Sequence, residues 1–517
     1  MKNGKKKKNR KSGSAIGRLR PQSRDELFLL GLAHHKAGRF GYAASLYRQA
    51  MAISPDDVEL LFNLGIVCHS LDDLEGALRH YSEALKYDPG NLLILRKKGA
   101  ALQELGNLQE AAQAYGDVVA LAREDIEAHH CLGIILYELW QLDQAAGFFE
   151  KCLRLNDSHP HAAYNLGLVR YGQGRLEEAV SCFNRNLEID PENGNALYNL
   201  GTILRQLGRN EAAGRHLRAA LKANPLDVDV LFNLGIVSKD LGELDEAIQF
   251  FKLALKIDPQ NGVILRGLGL IHHLRNEIDQ AIEAYGRAFA TADSLEADNH
   301  MLSALMGRMA HSVPRQYVEN LFDGYALNFE KSLTAMKYEI PARLKQALLN
   351  LPGIPGHFEK ALDLGCGTGL SGMQFRPIVG WLAGVDLSAK MLEKAAAKEV
   401  YDTLSQGDLV EFLNNVEERF ALYLLTDVII YFGNLTPLFD ALNKCTAAGD
   451  RVLFSTEFCN MKEEYMLRQS GRFAHSSDYI NRLADRFSFH VEFCESAGIR
   501  EEKGEWTMGE MYILSRI

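Results

Sequence analysis

The chain has 517 residues, 47% apolar and 24% charged, which is the composition of an ordinary folded protein. This excludes wholesale disorder and collagen-like classes, and no apolar run approaches the roughly 18 residues of a membrane helix. The net charge of −10 is unevenly spread: residues 1–20 hold nine basic groups and no acid, so the remainder stands at −19 and repels phosphates. Nucleic acid is therefore a poor match as partner. The eight cysteines show no CxxC pair and no zinc-like spacing. They suit a reducing, cytoplasmic setting, and no metal site is expected.

Residues 1–23 read as a basic tail. Its dense lysines repel one another, so disorder is expected, and it lacks the apolar stretch of a secretory signal. From there a fixed period takes over. Glycines recur every 34 residues at Gly31, Gly65, Gly99, Gly133, Gly167, Gly201, Gly235 and Gly269. Alanines follow in register from Ala43 to Ala281, and a bulky apolar residue stands four places after each, from Tyr47 to Tyr285. Prolines close five of the units. Small residues mark close helix crossings, the bulky residue fills the space between neighbouring pairs, and proline stops the second helix. Each unit is thus a helical hairpin that must stack to cover its apolar face. Eight such units over residues 24–295 resemble the tetratricopeptide repeat.

That resemblance implies an all-α solenoid with a groove that binds a protein or peptide. Asn63, Asn165, Asn199 and Asn233 share one repeat position, where an amide ladder would grip a peptide backbone. The groove of the O-linked N-acetylglucosamine transferases is similar. Leu29, Lys97, Cys131 and Gly267 fill the same position elsewhere. The paired histidines at 34–35, 129–130 and 272–273 point in different directions on a helix and make no metal pair. Residues 296–316 leave the register and read as a helical linker. Tyr317, Leu321, Tyr325, Phe329 and Leu333 then form a single helix stripe.

The most informative stretch is Ala361-Leu-Asp-Leu-Gly-Cys-Gly-Thr-Gly369, a short apolar strand running into three alternate glycines. The next strand-like segment ends in Asp386, 21 residues after Gly365, a distance that suits a ribose diol. The loop is neither G-x-G-x-x-G nor a P-loop. It resembles motif I of the class I S-adenosylmethionine-dependent methyltransferases. Counting the later strand-like segments gives seven, so residues 317–517 are expected to form a Rossmann-like α/β domain of seven strands. The resemblance makes S-adenosyl-L-methionine the cofactor. It implies that Asp363, Gly365, Cys366, Gly367, Thr368 and Gly369 hold the methionine part. Asp386 takes the ribose hydroxyls, Asp408 with Leu409 flanks the adenine, and Leu387 and Met391 are further cofactor-binding residues. Tyr325 and Tyr338 would form a lid. The segments LFDGYALNFEKSL, TDVIIYFGNL and GRFAHS look like a bacterial group of methyltransferases predicted to carry tetratricopeptide repeats.

Methyl transfer from a sulfonium is an in-line displacement that rests on alignment and exclusion of water. An oxygen or nitrogen acceptor can use a base, for which Asp427, Tyr431 and His475 are the candidates. The segment Thr426-Asp427-Val428-Ile429 lacks the N/D-P-P-Y/F motif of amino-methylating enzymes acting on nucleic acid or glutamine. Three functions remain open at this point: a methyltransferase whose repeats recruit the substrate or a partner, a scaffold with an inactive or regulatory methyltransferase domain, and a small-molecule enzyme merely localised by its repeats.

Overall fold

The computed structural model describes residues 23–517 except 292–294, 309, 311, 327–328, 460–462 and 503. The basic tail up to residue 22 lies outside the described residues. Two compact units divide the chain after Pro225. The first contains six helical pairs, from Arg24–Lys36 with Phe40–Met51 to Gly194–Gln206 with Asn210–Ala223. Each pair packs on the next.

The 34-residue period has three local causes. The first helix of each pair is capped at one register by Ser23, Asp57, Asn91, Asp125, His159, Asn193, Asp227 or Asn261. Each cap side chain accepts a backbone N–H at 3.0–3.2 Å. The turn inside each pair places one residue at positive φ: glycine at 38, 106, 174, 208 and 242, but Asp72, Trp140 and Asn276 in the others. Finally, the bulky residue of the second helix lies directly on the glycine of the first helix of its own pair. A Cβ on Gly133 would stand 2.7 Å from Phe149, and one on Gly235 would stand 2.3 Å from Phe251. The bulky residue therefore seals each hairpin internally, rather than only filling the gap between neighbours.

The second unit opens with two further pairs, Val228–Asp240 with Leu244–Ile257 and Gly262–Leu274 with Ile278–Phe289. A helix Glu296–Leu305 follows. The stripe from Tyr317 to Leu333 does not form one helix. It forms Arg315–Tyr325 and Phe329–Ala335, and Phe322 and Phe329 meet edge to face with centroids 6.0 Å apart. Seven residues along a straight helix would hold them ~10.5 Å apart.

The rest is an α/β domain. Its strands are β1 (Phe358–Leu364), β2 (Val379–Asp386), β3 (Thr403–Gln406), β4 (Leu422–Leu425), β5 (Arg451–Phe458), β6 (Tyr465–Leu467), β7 (Phe473–His475), β8 (Phe489–Glu502) and β9 (Glu505–Arg516). Strands β3-β2-β1-β4-β5 are parallel neighbours, while β9 runs antiparallel to β5 and carries β8. Among the described residues the sheet has nine strands, not seven. The two additional ones form the short hairpin β6–β7, three residues each, which is too brief to show an alternating pattern. Glu457 pairs with Ala474 of β7 on one edge and with Gly509 of β9 on the other. The hairpin thus extends the β4 side of β5 beyond the end of β4. Both faces of the sheet are covered: Tyr423 and Leu425 join one core, Leu422 and Leu424 the other.

Two substitutions test the hairpin constraints. Gly133→Ala drives a methyl into Phe149 and is expected to cost about 1–3 kcal/mol. Trp140→Gly removes a 78% exposed side chain from positive φ and is expected to add up to about 1 kcal/mol. Denaturant unfolding of the full chain reads both, and a stabilising Gly133→Ala would refute the first.

Candidate functional site

Strand β1 ends in Leu364, and the chain then turns through three glycines at positive φ, +75° at Gly365, +52° at Gly367 and +90° at Gly369. Other residues adopt this conformation at a cost. The turn folds onto β2, with Gly365 and Cys366 N–H donating to Val385 O at 2.8 and 3.0 Å. A Cβ on Gly365 would strike Val428 at 2.4 Å.

Two carboxylates flank this loop. Asp386, at the end of β2, accepts the Gly367 N–H at 2.8 Å and the Ser388 N–H at 2.9 Å. Burial raises its pKa, and those backbone donors oppose the rise. Asp363, 1% exposed, accepts from the Tyr401 hydroxyl at 2.6 Å. Burial pushes Asp363 up to about 7, with Asp386 adding to the effect and the Tyr401 bond opposing it. The second oxygen of Asp363 and the Thr368 hydroxyl are buried and lack a well-formed hydrogen bond, although, against burial, the Gly372 N–H draws the Asp363 pKa down and the Thr368 hydroxyl that of Glu330. Ser388 caps the following helix and donates to Asp323, whose charge also bears on Asp386.

Tyr401 escaped the sequence reading. Its ring lies where a Cβ on Gly369, Gly372 or Gly384 would stand, at 3.1, 2.4 and 3.0 Å. It thus fixes the loop from below. Nothing in its local sequence marks it, because the contact joins three separate segments.

The other expected cofactor residues divide by placement. Asp408 is the N-cap of Leu409–Asn415, accepting from Val410 and Glu411 N–H at 2.9 and 3.0 Å, and Leu409 is buried. Leu387 is half-buried, its carbonyl held by Gln406 at 3.0 Å. Met391 is fully buried, so its side chain belongs to the core rather than to a cofactor surface. Cys366 is also buried, its sulfur 3.0 Å from where a Gly384 Cβ would stand. Of the expected lid, Tyr325 is 51% exposed. Tyr338 instead sits among Thr426, Asp427, Arg500 and Asp363. Burial, then the Asp427 charge, holds its phenol well above the usual range.

The three base candidates are all engaged. His475 is not a loop residue at the surface. It lies on β7, fully buried, with Nε2 2.8 Å from Phe432 O, and burial lowers its pKa to about 4. Asp427 sits at φ +58° just after β4, its N–H held by Ser455 Oγ at 3.1 Å and its carboxylate by Arg500 Nη1 at 2.7 Å. Tyr431 packs edge to face on Phe322 at 5.5 Å, and burial raises its phenol strongly. Arg500, 2% exposed, is the residue the sequence reading missed here. It ion-pairs with Asp427, Glu457 and Glu502. Those three charges outweigh burial and raise its pKa.

In the repeats the four asparagines do not form one uniform row. Asn63 and Asn233 donate back along their own helices to Glu59 O and Asp229 O, at 2.8 and 2.9 Å. Asn165 reaches His130 and Asn199 reaches Tyr164, both at 3.1 Å. Among the described residues no group of three or more His, Cys, Asp or Glu is placed to hold a metal.

Arg500→Met leaves Asp427, Glu457 and Glu502 without their shared counter-charge and is expected to cost about 3–5 kcal/mol. Calorimetric unfolding checks this, and unchanged stability would show that the cluster is dispensable.

Tetratricopeptide-repeat family models match residues 26–59, 58–91, 160–225 and 198–262, and a methyltransferase-domain model matches residues 361–449. A malonyl-[acyl-carrier protein] O-methyltransferase of Erwinia pyrifoliae is 32% identical over 102 residues, 20% of this chain and 38% of that protein. The 18S rRNA (guanine-N(7))-methyltransferase RID2 of Arabidopsis thaliana is 28% identical over 188 residues, 32% of this chain and 65% of its own length. The chain thus spans less than two thirds of either relative. Among solved structures, YrrB, a TPR protein with an unusual peptide-binding site, is 26% identical with TM-score 0.35, covering 37% of this chain and 97% of its own. These family matches, on the helical pairs and on the glycine loop respectively, identify the chain as one that carries tetratricopeptide repeats followed by a methyltransferase domain.

Proposed function

We propose that the protein is an S-adenosyl-L-methionine-dependent methyltransferase whose repeats hold a protein or peptide partner and so bring the substrate to the enzyme. The observation that carries the cofactor reading is the pair of buried carboxylates around the glycine loop, with one Asp363 oxygen and the Thr368 hydroxyl lacking a well-formed hydrogen bond. Buried polar atoms that are poorly bonded are costly, so a ligand that pairs with them is favoured. Asp386 also bears on Asp363, and Asp323 on Asp386, as like charges, and a cationic ligand relieves that repulsion.

S-adenosyl-L-methionine supplies a sulfonium methyl and an ammonium group, both matched to this acidic, acceptor-rich loop. In this reading Asp386 keeps lone pairs for the ribose hydroxyls while its backbone bonds hold it in place. Asp363 and the loop from Gly365 to Gly369 take the methionine part. Asp408 with Leu409 borders the adenine, and Tyr338 closes the methyl end beside Asp427. Tyr325, exposed at the end of the helix Arg315–Tyr325, is the lid.

For the repeats, the support is the six-pair first unit, a scaffold far larger than the chemistry needs. The two relatives name acceptors as different as malonyl-[acyl-carrier protein] and an rRNA guanine, so the acceptor must be read from this chain itself. No described helix is long and apolar enough to cross a membrane. All eight cysteines are free thiols, which fits a cytoplasmic protein.

Calorimetric titration with S-adenosyl-L-methionine tests the cofactor reading. Asp386→Ala is expected to weaken binding by about tenfold or more. Ionising Asp363 opposes folding of the free protein, because its folded pKa of about 7 lies above the unfolded value. Its contribution to stability is therefore full below about pH 4 and lost as pH rises through 7. Cofactor affinity is expected to rise over the same interval, since the cation selects the ionised form. Asp363→Asn should flatten both profiles, and an unchanged pH dependence in that variant would remove Asp363 from the site.

A further inference from the structure

An open cleft of ≈ 630 Å³ lies in the second unit beside the glycine loop's end of the sheet. Its walls are the end of the helix Glu296–Leu305 with the turn after it, the β6–β7 hairpin, and the ends of β5 and β8. The floor carries Arg468, Arg472, Glu457 and Glu502, and the rim carries Met306 and Met466. One residue links this floor to the tip of β4: Arg500 binds Glu457 and Glu502 on the cleft side and Asp427 on the other. Arg472 acts electrostatically on Tyr431, which follows Asp427 in the same turn.

The bonding of the two cleft arginines is lopsided. Glu457 is shared by Arg468, Arg472 and Arg500, so both its oxygens are engaged. Among the described residues Arg472 is held only through Nη1, on Glu457 and Glu502. Its Nε and Nη2 donate to no described residue, and its side chain is 25% exposed. Arg468 uses Nη1 on Glu457 and Nη2 on Phe458 O, which leaves its Nε. A guanidinium has donors only, so what remains here is a set of N–H groups facing an open cleft with apolar edges. The ligand that satisfies them is an oxyanion carried on an apolar body.

The state of the three base candidates points the same way. Asp427 is tied to Arg500, His475 is shut in with Nε2 on Phe432 O, and Tyr431 is half-buried, its ring packed edge to face on Phe322. An acceptor already ionised at neutral pH needs none of them. We propose that this cleft receives the methyl acceptor, and that the acceptor is a carboxylate with an apolar body, methylated on its carboxylate oxygen to a methyl ester. The inference rests on the cofactor reading above. In the step, a carboxylate lone pair forms the new O–CH3 bond while the methyl–sulfur bond breaks. That electron pair stays on sulfur, so the sulfonium becomes a neutral thioether. No proton moves.

The full chain is first titrated with S-adenosyl-L-homocysteine, then the loaded protein with octanoate and, separately, octanol. Octanoate is expected to bind about tenfold tighter than octanol or better. Arg472→Gln should lose that preference while keeping its affinity for S-adenosyl-L-homocysteine, and Arg472→Lys should keep part of it. Arg468→Gln, which leaves the Arg472 pairs intact, should weaken octanoate by a smaller factor. In parallel, methyl-labelled S-adenosyl-L-methionine with octanoate should give label released as methanol by mild base. Equal binding of octanoate and octanol, no binding of octanoate, octanoate binding by Arg472→Gln at the unaltered affinity, or base-stable label each overturns the proposal. Failure of the unaltered chain to bind S-adenosyl-L-homocysteine overturns the cofactor reading instead.

Discussion

Asp427 from the turn after β4, Glu457 from β5 and Glu502 from β8 converge at one end of the sheet, and Arg500 pairs with all three, while Arg468 and Arg472 add to Glu457 and Arg472 to Glu502. Three carboxylates gathered this closely, Glu457 fully buried and Asp427 and Glu502 partly so, call for counter-charge, and a guanidinium is the group whose planar donors reach all three. The consequence spreads outward. Holding Asp427 permits the positive φ that turns the chain after β4 and seats Val428 against Gly365. Holding Glu457 anchors Arg468 and Arg472, and with them the hairpin β6–β7. The glycine loop and the cleft are therefore two sides of one ionic arrangement.

In the repeats a simpler constraint does comparable work. A ring, or Leu217 in one repeat, lies on a glycine of the facing helix, so each hairpin closes on itself before it stacks. This explains why a deviation at the bulky position is tolerated while glycine persists in all eight repeats: leucine can occupy the space, but no side chain can occupy the glycine's. The turn is less strict, because Asp72 and Asn276 tolerate the left-handed conformation, whereas Trp140 accepts strain with its side chain in solvent.

What was legible in the sequence was what repeats or runs together. The 34-residue period, the glycine loop and the strands β1, β2, β5 and β9 each carry their signal within a few residues. What was hidden depends on distance in the chain. Tyr401 acts on Asp363 from 38 residues away, and Arg500 reaches Asp427 across 73. Strands β6 and β7 are too short for an alternating pattern, and they exist because Glu457 and Phe458 offer β5 an edge to pair with. The burial of His475 was hidden for the same reason, since it lies on β7. The helical break after Tyr325 was masked by a stripe that two shorter helices share equally well.

The Gly471 end of the hairpin shows how the repeats bear on the chemistry. At φ +79°, a Cβ there would stand 3.1 Å from Met301 Sδ and 3.4 Å from the Tyr317 hydroxyl. The Gly471 carbonyl is held by His300 Nε2 at 2.9 Å, a histidine kept neutral because burial lowers its pKa. Met301 and Leu305, on the same helix as His300, pack against Ala281 and Tyr285 of the eighth repeat. One contiguous path therefore runs from the last repeat, through the helix Glu296–Leu305, to the hairpin that walls the cleft. A boundary drawn at residue 295 would cut this path and expose Met301 and Leu305 to water. The last two repeats thus belong to the same compact unit as the sheet and its cleft, and the six before them form the other unit.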